Sequence, residues 1–317
     1  MNKKPKIIAV VGPTASGKSA LAEALSLRLN GEVVSCDSMQ VYRTMDIGTA
    51  KPTAADRARV PYHLLDVAEP EADFSAVDYQ IAAEAAVRDI LSRGRLPIFC
   101  GGTGLYFDAF LRGMPASPGG DEALRTALAA EAERYGAEHL HSRLAAVDPT
   151  AAAAIPAGNL RRVIRALEMY ELTGVTKTEW DRRSREQPLR YDATVIYLTY
   201  GDRQLLYRRI EERVEAMLAE GLVAETAMLD SRGVFDVSRT AAAAIGYKEI
   251  LPYLHGECTL TEATDVLKQA TRRYAKRQIT WFSAKDYVVP LTMDRDGKLR
   301  NFEEIVNNAL EIISNPR

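Results

Sequence analysis

The run Gly12-Pro13-Thr14-Ala15-Ser16-Gly17-Lys18-Ser19 follows five apolar residues, Ile7–Val11, and opens a helix-like stretch from about Lys18 to Leu29. This matches G-x-x-x-x-G-K-[ST] between a strand and a helix, the context in which the pattern has a physical meaning. Backbone N–H groups of such a loop wrap an anion at the positive end of the helix. Lys18 adds a point charge, and the Ser19 hydroxyl is a ligand for Mg²⁺. All eight residues, Gly12 to Ser19, are therefore assigned to a diphosphate or triphosphate. The loop alone does not select between them.

The rest of the chain repeats the strand–helix theme. Glu32–Cys36 is a second apolar run, ending at Asp37, and Pro97–Cys100 is a third, stopping at Gly101-Gly102. Between them lies a helical segment, Asp78 to Arg93, with Ile81, Ala85 and Ile90 expected near one face. Alternating strands and helices predict a parallel sheet covered on both faces, with its chemistry at the carboxyl ends of the strands. Pro115 to Gly120 reads as a linker. From Asp121 to about Arg190 an Ala-rich helical pattern dominates, with Leu124, Leu128, Leu140 and Leu144 followed by Leu160 to Leu172. Ala193–Thr199 returns to strand. A long helix is expected over Arg203–Glu220, with stripe Leu206, Ile210, Val214, Met217 and Leu218 and Gly221 as its C-cap. Leu260 to Phe282 is a last major helix and Tyr287–Leu291 a final strand. The predicted architecture is an α/β core with a P-loop, residues 1–114 and 191–317, carrying an inserted all-helical domain at 115–190.

Composition excludes several alternatives. Of 317 residues, 47% are hydrophobic and 26% charged, and the net charge is −2, which argues against disorder and gives no global sign of nucleic-acid binding. No apolar run approaches the roughly 18 residues of a membrane span. The N-terminal segment lacks the core of a signal peptide. Three scattered cysteines and four histidines have neither disulfide-scaffold nor zinc spacing. A cytoplasmic, membrane-free protein is expected, and a monomer.

Two short segments could carry chemistry beside the loop. Asp37 and Ser38 stand at a strand end, where an Asp is a turn residue, a Mg²⁺ ligand or a general base. Gly101-Gly102-Thr103-Gly104 is either a tight turn or a ligand-contacting loop. Between Val266 and Lys285 lie Lys268, Arg272, Arg273, Lys276, Arg277 and Lys285 with no acid. Lys268, Arg272 and Lys276 recur every four residues, a basic stripe of the kind that binds phosphates. Tyr274, Trp281 and Phe282 interleave with it and are read chiefly as core. Arg161, Arg162 and Arg165 form a second basic cluster. Arg209 and Arg213 share a helix face, either solvated among Glu211, Glu212 and Glu215 or turned to a ligand.

The segments GPTASGKS, SCDSMQVYRTMDIGTAKP, GGTGLYFDAFLRG, NLRRVIRALEMYELTG, AIGYKE and YAKRQITWF together resemble the tRNA dimethylallyltransferase family. The similarity runs from about Lys6 to Phe282, and the second segment is the most specific. Cys36 departs from the pattern, where a small or aliphatic residue is expected. The resemblance is to the shorter bacterial type, for which no zinc-finger extension is expected.

The resemblance implies transfer of a dimethylallyl group from its diphosphate to N6 of the adenosine immediately 3′ of the anticodon. The loop would then hold the donor diphosphate, with Arg213 as a further contact and Mg²⁺ at Ser19. Asp37 matches the general base, and Thr103 a residue at the reacting centre. Lys18 would stabilise the leaving group. Against the tRNA anticodon stem-loop the resemblance places Asp37, Ser38, Met39, Gln40, Thr103 and Arg161, Arg162, Val163, Ile164 and Arg165, with a further contact at Arg125. The stripe Lys268, Arg272 and Lys276 is added from its charge. A P-loop kinase, an enzyme prenylating free adenine nucleotides and a non-catalytic RNA-binding module are the competing readings. ADP formation, label in AMP, and loss of any need for Asp37 would distinguish them.

Overall fold

The computed structural model describes residues 4–113 and 120–315. Residues 115–119 of the expected linker lie outside these. In chain order, β1 (Lys6–Val11), α1 (Lys18–Leu29), β2 (Gly31–Cys36), α2 (Ala54–Arg59), β3 (Tyr62–His63), α3 (Ala76–Ser92), β4 (Leu96–Gly101) and α4 (Gly104–Arg112) come first. Five helices follow without a strand: α5 (Glu122–Tyr135), α6 (Ala137–Val147), α7 (Pro149–Ala154), α8 (Leu160–Thr173) and α9 (Lys177–Glu186). The chain then returns through β5 (Asp192–Thr199), α10 (Arg203–Glu220), α11 (Leu222–Ser231), α12 (Val234–Val237), α13 (Arg239–Ala242), α14 (Tyr247–Leu254) and α15 (Leu260–Ser283). It ends in β6 (Val288–Thr292), a hairpin of β7 (Asp294–Arg295) and β8 (Lys298–Leu299), and α16 (Phe302–Ser314).

Six parallel strands pair in the order β3-β2-β4-β1-β5-β6. Burial on both faces explains why β1 reads as an unbroken apolar run: all its residues after Lys6 are buried. Ile8 and Val10 meet Leu21 and Leu25 of α1 and Ile305 and Val306 of α16 on one side. On the other, Phe99 of β4 packs against Phe107 and Phe110 of α4. The helix α1 begins at Gly17 and ends at Asn30, both left-handed. Helix α3 is opened by a reciprocal Ser75–Asp78 capping box. Its buried face is Tyr79, Ala83, Val87 and Ile90. Ile81, expected on that face, is 62% exposed; it is two residues from Tyr79 and so points almost oppositely on a helix of 3.6 residues per turn. The Arg203–Glu220 helix has the expected bounds and ends at Gly221, φ 106°. β3 and the helices α11 to α14 are additions to the sequence reading.

The chain divides into two compact units, one reaching to Leu111 and resuming at Tyr191, the other Arg112–Arg190. The second has its own core, Leu128, Leu140, Leu144, Val163 and Leu167. Two buried carboxylates organise it. Asp148 caps α7 at Ala151 and accepts from the Thr178 backbone N–H and hydroxyl. Glu168 accepts from the Asp121 N–H, from Arg125 Nε at 2.8 Å and from Arg165 at 2.5 Å.

At the carboxyl end of the sheet, β2 and β4 approach too closely for a side chain. A Cβ on Gly101 would lie 2.0 Å from the Cys36 carbonyl oxygen, which belongs to rigid backbone. Gly101→Ala is expected to cost about 1–3 kcal/mol through overpacking, lowering the thermal midpoint by roughly 2–12 °C at about 2–4 °C per kcal/mol. A midpoint within a degree of wild type in calorimetry would show that the strands separate freely.

Candidate active site

The Gly12–Ser19 loop leaves β1 and enters α1 through backbone only glycine adopts easily. Gly12 has φ +147° and its missing Cβ would meet the Leu198 carbonyl oxygen at 3.0 Å; Gly17 has φ +92°. Neighbouring elements hold the loop in shape. Lys18 Nζ donates to the Pro13 carbonyl at 2.6 Å, Arg209 Nε to the Ala15 carbonyl at 2.8 Å, and the Tyr200 hydroxyl to the Ser16 carbonyl at 3.3 Å. Ser16 Oγ is buried without a hydrogen-bond partner among the described residues. The loop, Arg209 and Arg213 together line one recess. Burial lowers the Lys18 ammonium to about 8, with the Arg213 charge adding to the effect and Asp37 opposing it. The Arg213 guanidinium is likewise lowered by burial, against the attraction of Asp37. Arg209 and Arg213 are half-buried against the loop, which favours the ligand-facing alternative for this face over the solvated one.

Asp37 follows β2 directly. Its Oδ1 accepts the Met39 N–H at 2.9 Å, an Asx turn that orients the carboxylate. Thr103, after β4, donates its N–H to the Cys36 carbonyl and accepts the Ser38 N–H on Oγ1 at 3.0 Å. The strand order explains the meeting: β4 lies between β2 and β1, so loops far apart in sequence emerge side by side. Cys36 is buried, its thiol raised mainly by desolvation, and its Sγ points to the Thr103 carbonyl. The departure at this position is thus a matter of packing.

Asp37, Thr14, Ser38, Met39 and Arg213 line a cavity of about 250 Å³ whose other walls include Val214, Met217, Ala244 and Leu267. Arg213 borders both this cavity and the phosphate-loop recess. A charged loop, a guanidinium, a carboxylate and an apolar wall are therefore contiguous.

Helix α15 supplies residues that sequence reasoning undervalued. Gln278 is buried, accepts the Thr14 N–H at 2.8 Å and donates to the Gly102 carbonyl at 3.1 Å, joining the phosphate loop to the glycine loop. Its four-residue spacing from Tyr274 and Phe282 was the available signal. Tyr274 and Arg277 line the cavity, with the guanidinium over the ring at 5.4 Å; Tyr274, read as core, is part of the site wall. Phe282 is core, as expected. The glycine loop is a packing device as well: a Cβ on Gly104 would strike Trp281 at 2.2 Å.

Several expected RNA contacts are otherwise engaged. Val163 is fully buried in the core of the helical unit, because it lies on the apolar stripe of α8, next to the exposed Arg161 and Arg162. Ile164 is half-buried against that core. The Gln40 amide is spent internally, accepting from Ser35 and donating to the Thr49 and Ala50 carbonyls. Lys268 and Arg272 face the acids of α10, Glu215 at 2.5 Å and Glu211 at 2.8 Å. These two cations of the stripe are bridges between helices. Lys276 is exposed, as are Arg273 and Arg277. Arg125 and Arg165 pair with Glu168, while Arg161 and Arg162 stand exposed in the first turn of α8, which has no side-chain cap.

Comparison with known proteins finds relatives along nearly the whole chain. The IPP transferase family model matches residues 40–285, and an isopentenyl transferase model matches residues 5–65. A tRNA dimethylallyltransferase of Halalkalibacterium halodurans is 47% identical over 97% of this chain and 98% of its own length. One from Geobacillus thermodenitrificans is 51% identical over 87% of each. Among solved structures, a tRNA isopentenylpyrophosphate transferase from Bacillus halodurans superposes with TM-score 0.72 at 44% identity, covering 98% of this chain and 96% of the other. A eukaryotic dimethylallyltransferase acting on tRNA gives 0.78 at 26% identity, covering 99% and 80%. With near-complete coverage at this identity and a family model spanning most of its length, the chain belongs to the tRNA dimethylallyltransferases.

Proposed function

We propose that the protein transfers a dimethylallyl group from dimethylallyl diphosphate to N6 of the adenosine immediately 3′ of the anticodon in tRNA. The observation that carries this reading is Arg213, which borders both the phosphate-loop recess and an apolar-walled cavity containing Asp37. A diphosphate seated on the loop would put its hydrocarbon beside the carboxylate.

In this mechanism N6 attacks C1 of the allyl group, the new N–C bond forms and the C1–O bond breaks, its electron pair leaving on the diphosphate. The N6 lone pair is delocalised into the purine, so removal of its proton by Asp37 aids attack. Lys18, Arg213 and the loop N–H groups meet the charge that grows on the leaving group. Thr103, holding the Ser38 N–H, keeps the turn that carries Asp37 in place and presents its hydroxyl near the reacting centre. Oxygen donors fit Mg²⁺, and the Ser19 hydroxyl, on the wall of the phosphate-loop recess, offers one. When bound, the ion would neutralise diphosphate charge. The proposed enzyme is a monomer working on tRNA in the cytoplasm.

The target base has to leave its stack to reach a lined cavity, and cations outside the cavity would hold the stem-loop. Arg161 and Arg162 are cations at the positive end of α8, an arrangement that a phosphate would relieve. Arg273 and Lys276 are the exposed cations of α15.

Three measurements test this. Asp37→Ala should lower the single-turnover rate about 10²- to 10⁴-fold with tRNA affinity nearly unchanged; a rate within fivefold of wild type would remove Asp37 as the base. Neutralising Arg273 and Lys276 together should weaken tRNA binding and flatten its log–log salt slope by up to roughly 0.9 per phosphate contact, whereas Lys268→Ala should chiefly lower thermal stability. An unaltered slope in the double variant would make these two exposed cations a solvated face. For pH, the free protein loses the Lys18 proton above about 8, while bound diphosphate favours the protonated form. Diphosphate affinity should therefore weaken from pH 7 to 9, approaching tenfold per pH unit above 8, relative to Lys18→Met. Parallel pH profiles for the two proteins in calorimetry would contradict this.

A further inference from the structure

One half-buried carboxylate serves no chemistry yet touches the cavity wall. Glu225, in the first turn of α11, accepts four hydrogen bonds. Oε2 takes the Asp46 and Ile47 N–H groups at 3.0 and 2.9 Å, and Oε1 takes the Gly48 N–H at 3.0 Å and the Tyr247 hydroxyl at 2.7 Å. Three consecutive N–H groups converging on one point form an anion-binding nest, and the anion here is supplied by the chain itself. The turn they belong to continues into Gly48 and Thr49, both of which line the cavity with Asp37 and Arg213.

The packing leaves this turn no second position. A Cβ on Gly48 would lie 2.5 Å from the Tyr247 ring. Gly246, φ +108°, brings its backbone against Gly48, with its own absent Cβ at 3.5 Å from the Gly48 Cα, and it too lines the cavity. The far end of the segment is pinned separately. Lys51, its side chain 1% exposed, donates to the Tyr42 carbonyl and to Asp46 and Asp66 at 2.6 and 2.8 Å. Gln40 donates to the Thr49 and Ala50 carbonyls. Glu225 is thus the tie between this segment and the helices α11 and α14, and the two-glycine contact it closes is one wall of the cavity.

We propose that Glu225 is a positioning residue for the prenyl donor: by holding the Asp46–Gly48 turn against Tyr247, it sets the cavity wall against which the allylic chain lies. It acts through the turn and not on the diphosphate. This rests on the reading that the cavity takes the hydrocarbon of the donor.

Glu225→Gln keeps the size of the side chain but replaces one acceptor oxygen by an amide NH₂, which faces N–H or O–H donors. The KM for dimethylallyl diphosphate should rise on the order of tenfold, the factor set by losing one charge-assisted hydrogen bond. The kcat at saturation should stay within about threefold, and the Kd for inorganic pyrophosphate and for tRNA within twofold. Tyr247→Phe removes a single donor and should raise the same KM about threefold, with no further increase when combined with Glu225→Gln. An unchanged KM in a folded Glu225→Gln protein overturns the proposal, as does an equal loss of pyrophosphate affinity, which would mark a general loosening of the site. Should Glu225→Gln fail to fold, Tyr247→Phe decides alone: an unchanged KM overturns the proposal. Failure of the wild-type protein to prenylate tRNA from dimethylallyl diphosphate would instead overturn the functional reading and leave the network unassigned.

Discussion

Positive charge gathered at the carboxyl end of a parallel sheet is the constraint on which the site depends. Lys18, Arg209 and Arg213 approach one glycine loop, and Asp37 is the acid whose charge acts on both Lys18 and Arg213. Burying cations together is unfavourable, and lowering of the Lys18 ammonium records that cost. A diphosphate relieves it. On the proposed reading, the same field would stabilise charge developing on a leaving group more than charge already dispersed in the bound donor, and so favour bond breaking.

Such a site needs rigid support, and the protein builds it from neutral or internally compensated polar groups. Gln278 ties two loops through one amide that both accepts and donates. Glu225 satisfies three N–H groups of a turn that has no ladder of its own. Lys51 is buried with two carboxylates and a carbonyl. Each leaves few polar groups unpaired, which is the condition for polar residues inside a fold to order it rather than weaken it. The helical unit repeats the device with Asp148 and Glu168.

Charge patterns in the sequence proved less transparent than apolar ones. Lys268 and Arg272 belong to a run free of acids, yet the acids that meet them, Glu215 and Glu211, sit far earlier in the chain on α10, and only helix packing reveals the pairing. Arg161 and Arg162 flank Val163, which packs inward. Gln40 sits beside Asp37 in sequence but turns its amide to backbone carbonyls.

The sequence by itself determined the α/β class, the phosphate loop and the five main strands, because apolar periodicity and glycine placement are local consequences of strand burial and loop geometry. It also indicated a helical insertion, and its motifs pointed to a family. Tertiary structure decided what surrounds the loop. The order β2-β4-β1-β5 brings Asp37, Thr103 and Arg213 to one end of the sheet. Gln278, Tyr274 and Glu225 gain their roles only from elements that meet there, since a buried polar residue is recognised by its partners and those lie up to 264 positions away.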